Sequence, residues 1–370
     1  MNIPFIDLQA QMAPIRKDIE NRLLKILDHC GFIMGPEVKQ LEQELCQYTK
    51  AKHSFSCASG TDALILALQA CGIKPGDEVI TTNFSFFATA ETIALLGAVP
   101  VMVDIEPTYY NIDVTQIESV ISEKTKAIMP VSLYGQPANM TAINQLAQKH
   151  NLTVIEDAAQ SFGSTWKGQK SGNLSTIGCT SFFPAKPLGC YGDGGAIFTN
   201  DDSIAEKIEC FRNHGQQSRY FHTEVGINGR LDTMQCAILS AKLGIYDTEV
   251  KNRQDLASNY NERFASLLEH QVQLPQVHSE ATHVWAQYTL KVPGRDLFQN
   301  FLKEKGVPTA VHYPQTMSSQ PALKGKCRSL HTPIADHCAN HVVSLPMHPY
   351  MQEEHFETIV AAVLDFFNNK

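Results

Sequence analysis

Residues 179–200 read CTSFFPAKPLGCYGDGGAIFTN. A short apolar run empties into a loop that holds Lys186 between Pro184 and Pro187. Gly192, Gly194 and Gly195 then lead into a second apolar run, the pattern of a hairpin. The same punctuation recurs along the chain. Apolar runs at 78–81, 99–103, 127–130, 153–156, 179–183 and 196–199 are bounded by turn residues. Between them lie segments of helical period at 61–70, 88–96 and 140–150. Short buried strands alternating with helices predict an α/β fold with a mainly parallel sheet.

Residues 246–270, YDTEVKNRQDLASNYNERFASLLEH, turn polar and helix-favouring. Strand-like QYTLKV (287–292) and VPTAVHYP (307–314) follow, separated by a helical stretch. We therefore expect a large domain over 1–245, including the N-terminal segment, and a smaller C-terminal α/β domain over 246–370 entered by a linking helix. The 370 residues suffice for two such cores, with 43% hydrophobic and 18% charged side chains. A net charge of −8 and the lack of any Lys/Arg run argue against a nucleic-acid partner, while a small anionic substrate stays open. The start, MNIPFIDLQAQMAPIRKD, has neither the basic opening nor the apolar core of a signal peptide. The longest apolar stretch, 93–103, is too short to cross a bilayer and contains Gly97 and Pro100. These features lead us to expect a cytoplasmic protein without a membrane partner. Ten scattered cysteines with no CxxC pair read as reduced thiols, mostly buried.

Four segments bear on chemistry. In TVIEDAAQSFG (153–163) a strand ends at Asp157, followed by Gln160. Strand carboxyl ends are where open α/β sheets bind ligands, although a carboxylate there can equally cap the next helix. Lys186 sits in an apolar, Gly-rich loop, an environment that disfavours the ammonium and suits a Schiff-base lysine. In SCASGTDALILALQA (56–70), Ser59, Gly60 and Thr61 precede a strongly apolar helix. Its free amides and positive dipole end can hold a phosphate, or Ser59 and Thr61 can serve as an ordinary cap. In TTNFSFFATAE (81–91), one ring of Phe84, Phe86 and Phe87 can stack on a flat heterocycle, with core packing as the alternative. A phosphate cradle, an aromatic platform, an acid and a Schiff-base lysine form the set that pyridoxal phosphate requires.

With these segments in hand, the chain resembles the fold-type-I, DegT-type sugar nucleotide aminotransferases along its whole length. The motifs are FIDLQAQ, GPEVKQLE, SGTDAL, PGDEVI, VSLYGQPANM, EDAAQSFG, SFFPAKPLGCYGDGGAIFTND, RNHG, GINGRLD, VPTAVHYP and SLPMHPY. The resemblance implies an aspartate aminotransferase-like fold with pyridoxal 5'-phosphate on Lys186. By the same resemblance Asp157 holds the ring nitrogen protonated and Gln160 contacts the ring or its hydroxyl. Gly60, Thr61 and Ser181 take the phosphate, and Phe86 stacks on the ring. Asn228 is implied to reach the phosphate of a neighbouring subunit, which makes the protein a homodimer with shared sites.

Within the family, SLYGQ, the lysine segment and AVHYP look most like enzymes that aminate UDP-2-acetamido-2-deoxy-3-oxo-D-glucuronate for bacterial surface polysaccharide. That likeness places Arg230, His312 and Tyr313 near the sugar. Arg230 suits a carboxylate or pyrophosphate, since its planar fork binds such groups with paired hydrogen bonds. His312 can equally be a satisfied strand histidine. L-Glutamate is the implied amino donor. The alternatives are a 3-keto or 4-keto 6-deoxy sugar nucleotide as acceptor, or a cofactor-binding regulator without turnover. His337 and His341 stand four apart beside Cys338 with His331 upstream, a spacing seen in zinc sites. Surface histidines on a helix are the expected reading, and no metal is expected.

Overall fold

The computed structural model describes residues 3–368. Its centre is an eight-stranded sheet. Across it the strands run in the order His53–Cys57, Gly195–Thr199, Ile177–Ser181, Thr153–Asp157, Thr125–Met129, Glu78–Thr82, Val99–Val103 and Arg328–Ser329. Gly195–Thr199 is antiparallel to both neighbours, and every other pairing is parallel. All five residues of Glu78–Thr82 and of Gly195–Thr199 are buried, as strands covered on both faces must be. That double burial is why neither shows a clean alternation of apolar and polar residues.

All six expected strands are present, with ends shifted by no more than a turn residue or two. His53–Cys57 is a further strand, in which Ser54 and Ser56 alternate with Phe55 and Cys57 but both serines are buried while Phe55 is only partly so, against the usual reading of such a pattern. One expectation fails: VPTAVHYP forms no strand. Pro308 and Pro314 lack the N–H that a ladder needs, and only Ala310 bridges, to Ser344.

The helices begin and end where local chemistry dictates. Asn139 caps Met140–His150 by accepting from the Ala142 amide, and Asn151 closes it in the left-handed conformation. Gly60–Ala70 buries Ala63, Leu64, Leu66, Ala67, Leu68 and Ala70 under the sheet, which explains its nearly unbroken apolar sequence.

A second core gathers Tyr260, Phe264, Tyr288, Phe298 and Phe356 around the strand pair Tyr288–Lys291 and Val342–Leu345. Tyr246–Arg263, Arg295–Glu304 and Glu353–Asn368 are helices, and Leu256, Leu302 and Ile359 from them join this core. The two halves of the chain interlace. Ile3 packs into the C-terminal core, whereas Arg328–Ser329 pairs with Val101 and Met102 of the large sheet. Met317 and Leu323 also pack against Met102.

The strand that carries Asp157 is braced from the side. Glu156, fully buried, accepts hydrogen bonds from Ser132 Oγ (3.0 Å), Ser171 Oγ (2.6 Å) and the Gly172 amide (2.8 Å). A Cβ at Gly178 would stand 2.1 Å from the Gly172 carbonyl oxygen. Gly178→Ala must therefore push this brace aside. It is expected to cost about 1–3 kcal/mol of stability, read as a lower urea midpoint.

Candidate active site

The ends of three adjacent strands set the site's floor. Cys57, Gly195 and Ser181 are in register across the sheet edge. From Cys57 the chain turns through Ser59 into the helix Gly60–Ala70, whose first turn Ser59 caps by accepting from the Asp62 amide at 3.0 Å. A Cβ on Gly60 would meet Ser181 Cβ at 2.6 Å, and one on Gly195 would meet the Ser59 carbonyl at 2.5 Å. The helix N-terminus thus comes against Ser181 with no side chain between them, as a phosphate cradle requires.

Above this floor lies a cavity of about 480 Å³. Gly60, Thr61 and Ser181 line one side of it, and Asp157, Gln160 and Lys186 another. Phe86, His312 and Tyr313 also line it. Nine of the eleven residues singled out in the sequence therefore share one space.

Lys186 belongs to a tight loop in which its amide donates to the Phe183 carbonyl at 2.8 Å. The cavity reaches its side chain, which is otherwise packed among protein atoms. Burial pushes its ammonium below the ordinary lysine range, against the opposing pull of the Asp157 carboxylate. Asp157 is buried at the end of its strand. Its Oδ2 accepts from Thr89 Oγ1 at 2.8 Å and its Oδ1 from the Ala159 amide at 3.2 Å. Burial raises its pKa, while Thr89, Ala159 and Lys186 oppose the rise. A buried carboxylate in these surroundings is matched by a cationic ring N–H, the partner that pyridoxal phosphate offers.

Of the three candidate rings, Phe84 is fully buried and Phe87 packs beside Met102, but Phe86 is 56% exposed and lines the cavity. Its ring centroid is 6.0 Å from that of Tyr313. Gln160 is held at both ends of its amide. Its Oε1 accepts from the Tyr134 amide at 2.8 Å, and its Nε2 donates to Tyr313 Oη at 2.9 Å. The Tyr134 hydroxyl donates to the His312 carbonyl, tying the C-terminal half to the loop after Thr125–Met129. His312 Nδ1 lies 3.1 Å from Ser344 Oγ, and burial, then Lys186, pushes the ring's pKa down to about 4. It is therefore neutral at pH 7 and can offer a hydrogen bond but not a charge.

Asn228 and Arg230 lie outside this cavity. Asn228 is exposed, and its Oδ1 accepts from Arg230 Nε at 2.8 Å; a second Arg230 nitrogen donates to Asn213 Oδ1 at 3.1 Å. The zinc-like pair is a stacked pair of imidazoles 3.9 Å apart, and no group of three metal-ligating side chains occurs among the described residues. All ten cysteines are free, and half of them are buried. Sequence reasoning missed Thr89, which holds Asp157 from 68 residues away, and the cavity-lining Phe5, Phe183 and Gln287. Thr89 falls inside the segment 81–91 chosen for its rings, but nothing in that segment marks it as the partner of Asp157.

The DegT/DnrJ/EryC1/StrS aminotransferase family pattern matches residues 14–364. The chain belongs to this family. It is 51% identical to a UDP-2-acetamido-2-deoxy-3-oxo-D-glucuronate aminotransferase of Pseudomonas aeruginosa, covering 98% of this chain and 99% of that one. It is 44% identical over the full length of both chains to a pleiotropic regulatory protein of Geobacillus stearothermophilus. Among solved structures, NtdA of Bacillus subtilis with bound cofactor PMP superposes with a TM-score of 0.93. That match is at 31% identity, covering 99% of this chain and 85% of the other. The chain is thus a sugar aminotransferase of the fold-type-I kind, and pyridoxal phosphate is its cofactor. Among the described residues no helix is long and apolar enough to cross a membrane.

Thr89→Val keeps the shape and removes one hydrogen bond to a buried carboxylate. About 1.5–3 kcal/mol of Asp157 anchoring should go with it, read as cofactor affinity weakened by about tenfold or more. The histidines supply a pH prediction. His283, His312 and His348 have pKa values pushed down from 6.5 to about 3, 4 and 4, chiefly by burial. The unfolded chain therefore binds more protons between about pH 6.5 and pH 4. Stability should be intact above 6.5 and fall as the pH drops through that window, as denaturant midpoints across the range will report.

Proposed function

We propose that this chain transfers the amino group of L-glutamate to the 3-keto carbon of a UDP-linked 2-acetamido-2-deoxy-3-oxo-glucuronate. The product would serve bacterial surface polysaccharide (O-antigen) precursor synthesis in the cytoplasm. The observation that carries the substrate is the 51% identity, over nearly the full length of both chains, with the Pseudomonas aeruginosa aminotransferase of that name.

The residues present fit the cofactor, as the side-chain-free approach of Gly60 to Ser181 attests. When bound, pyridoxal phosphate supplies an electron sink and carries the amino group between two half-reactions. The chain's own residues do the rest. The amides at Gly60 and Thr61 and the Ser181 hydroxyl bind the phosphate. Asp157, steadied by Thr89, holds a proton at the ring nitrogen. Phe86 would stack on the ring, and Gln160, which anchors Tyr313 at 2.9 Å, would contact the ring or its hydroxyl. Lys186 Nζ, whose ammonium form burial disfavours, removes the proton from the α-carbon of glutamate and later returns a proton to the sugar's new C–N carbon. His312 and Tyr313 then orient the sugar with hydrogen bonds.

What the cavity lacks supports a homodimer with shared sites. Among the described residues lining it, Lys186 is the one Lys or Arg, and His312 is neutral. A uronate carboxylate and a pyrophosphate need further cations. Arg230 and Asn228 sit near a segment with exposed Tyr220, Phe221 and Val225, apolar surface of the kind that a second copy covers. In this arrangement one copy's Arg230 and Asn228 complete the other's cavity.

Glutamate added to the yellow purified protein should bleach its visible band, and an unchanged spectrum would favour a regulator without turnover. Lys186→Ala should lose activity by about 10³-fold or more. With the 3-oxo-uronate and 3-keto or 4-keto 6-deoxy sugar nucleotides assayed side by side, preference for a 6-deoxy sugar would overturn the substrate assignment.

A further inference from the structure

Lys186 lines two spaces, the 480 Å³ cavity and a void of about 10 Å³. Asp7, Gln11, Pro184, Arg253 and His348 are among the residues that line this smaller void together with Lys186 itself. Three of them are almost wholly buried, with exposures of 4% for Gln11, 3% for Arg253 and 1% for His348.

Each of these three has a polar atom without a hydrogen-bond partner: Gln11 Oε1, Arg253 Nε and both ring nitrogens of His348. Loose packing does not explain this, since the remaining atoms are firmly engaged. Gln11 Nε2 donates to Glu249 Oε2 at 2.9 Å, and Tyr350 Oη donates to Glu249 Oε1 at 2.9 Å. A terminal nitrogen of Arg253 donates to the carbonyls of Met347 (3.0 Å) and Trp285 (3.2 Å). Orphaned buried polar atoms are costly, and several around one void are not a chance residue of packing.

A buried water needs roughly 10–15 Å³ and two to four polar partners. The void meets both conditions. Arg253 Nε offers a donor, Gln11 Oε1 an acceptor, and neutral His348 one nitrogen of each kind. Asp7 is the one carboxylate among the described residues that line the void, and its Oδ1 already accepts from the Ala10 amide at 2.9 Å, so no carboxylate pair is there to hold a cation.

We propose that the void is a water site, and that its water joins Gln11, Arg253 and His348 into a back wall that positions Lys186. His348 is then a positioning residue for the reaction. It acts through the water on the loop that carries the lysine, and it touches neither substrate nor cofactor. The inference rests on the reading of Lys186 as the reactive lysine.

Two measurements test it. In a high-resolution crystal structure of the holoenzyme, a water should lie about 2.7–3.2 Å from Arg253 Nε and from a His348 ring nitrogen; an empty void overturns the proposal. His348→Gln can still bond the water, whereas His348→Leu cannot. His348→Leu should lower kcat by about tenfold, leave KM for the sugar within about twofold, and shift the pH midpoint of the bound cofactor's visible band. His348→Gln should restore all three. Wild-type kcat and midpoint in His348→Leu, or equal losses in both variants, would also overturn it. If His348→Leu does not fold, His348→Asn, too short to reach the water, takes its place with the same expectations. Borohydride trapping of the cofactor on a lysine other than Lys186 would instead sink the reading of Lys186 and leave the water site standing.

Discussion

The constraint on which the rest depends is steric: at one edge of the sheet there is no room for a β-carbon. Gly60 and Gly195 admit the approach of Ser181 and of the Ser59 carbonyl at distances that any side chain would forbid. Because Gly195–Thr199 lies between His53–Cys57 and Ile177–Ser181, segments more than 100 residues apart in sequence end side by side. The helix Gly60–Ala70 then aims its free amides at the cavity. The loop bearing Lys186 leaves at Ser181 and returns at Gly195, so the lysine is hung from the same edge that holds the anion site. Register adds the acid, since Asp157 pairs with Cys179, two residues before Ser181.

Much of this was legible in the residues themselves. Doubly buried strands leave apolar runs, capped helices leave Ser, Asn and Gly at their ends, and a lysine between prolines in an apolar loop stands out. What could not be read was long-range pairing. Nothing in the local sequence ties Thr89 to Asp157 or His348 to Gln11. Periodicity alone did not choose among Phe84, Phe86 and Phe87; the resemblance pointed to Phe86, and the fold leaves that ring exposed while Phe84 is buried. VPTAVHYP misled because its β-branched and aromatic content suits a strand while its prolines remove the donors that one uses. Arg230 and Asn228 matched a motif, yet in this chain they lie outside the cavity.

The interlacing of the two halves gives the site its rigidity. His312 and Tyr313 come from the C-terminal half but are fastened to Tyr134 and Gln160 of the sheet domain. Asn83 is fastened in turn to Ser318 and Thr332, and Asp104 caps the helix Pro333–His341 through the amides of Ile334 and Ala335. These contacts tie the two halves together at several separate points. Side chains from both ends of the sequence thus serve one cavity.

Phe86 and Phe183 reach the cavity with 56% and 51% of their surface still open. A flat ligand that covers them strips water from two aromatic faces at once. Apolar surface lost to binding is recorded most directly in heat capacity, which falls in proportion to the area covered. The cofactor's association enthalpy in this protein will therefore grow more favourable as the temperature rises, a calorimetric mark of two bare rings.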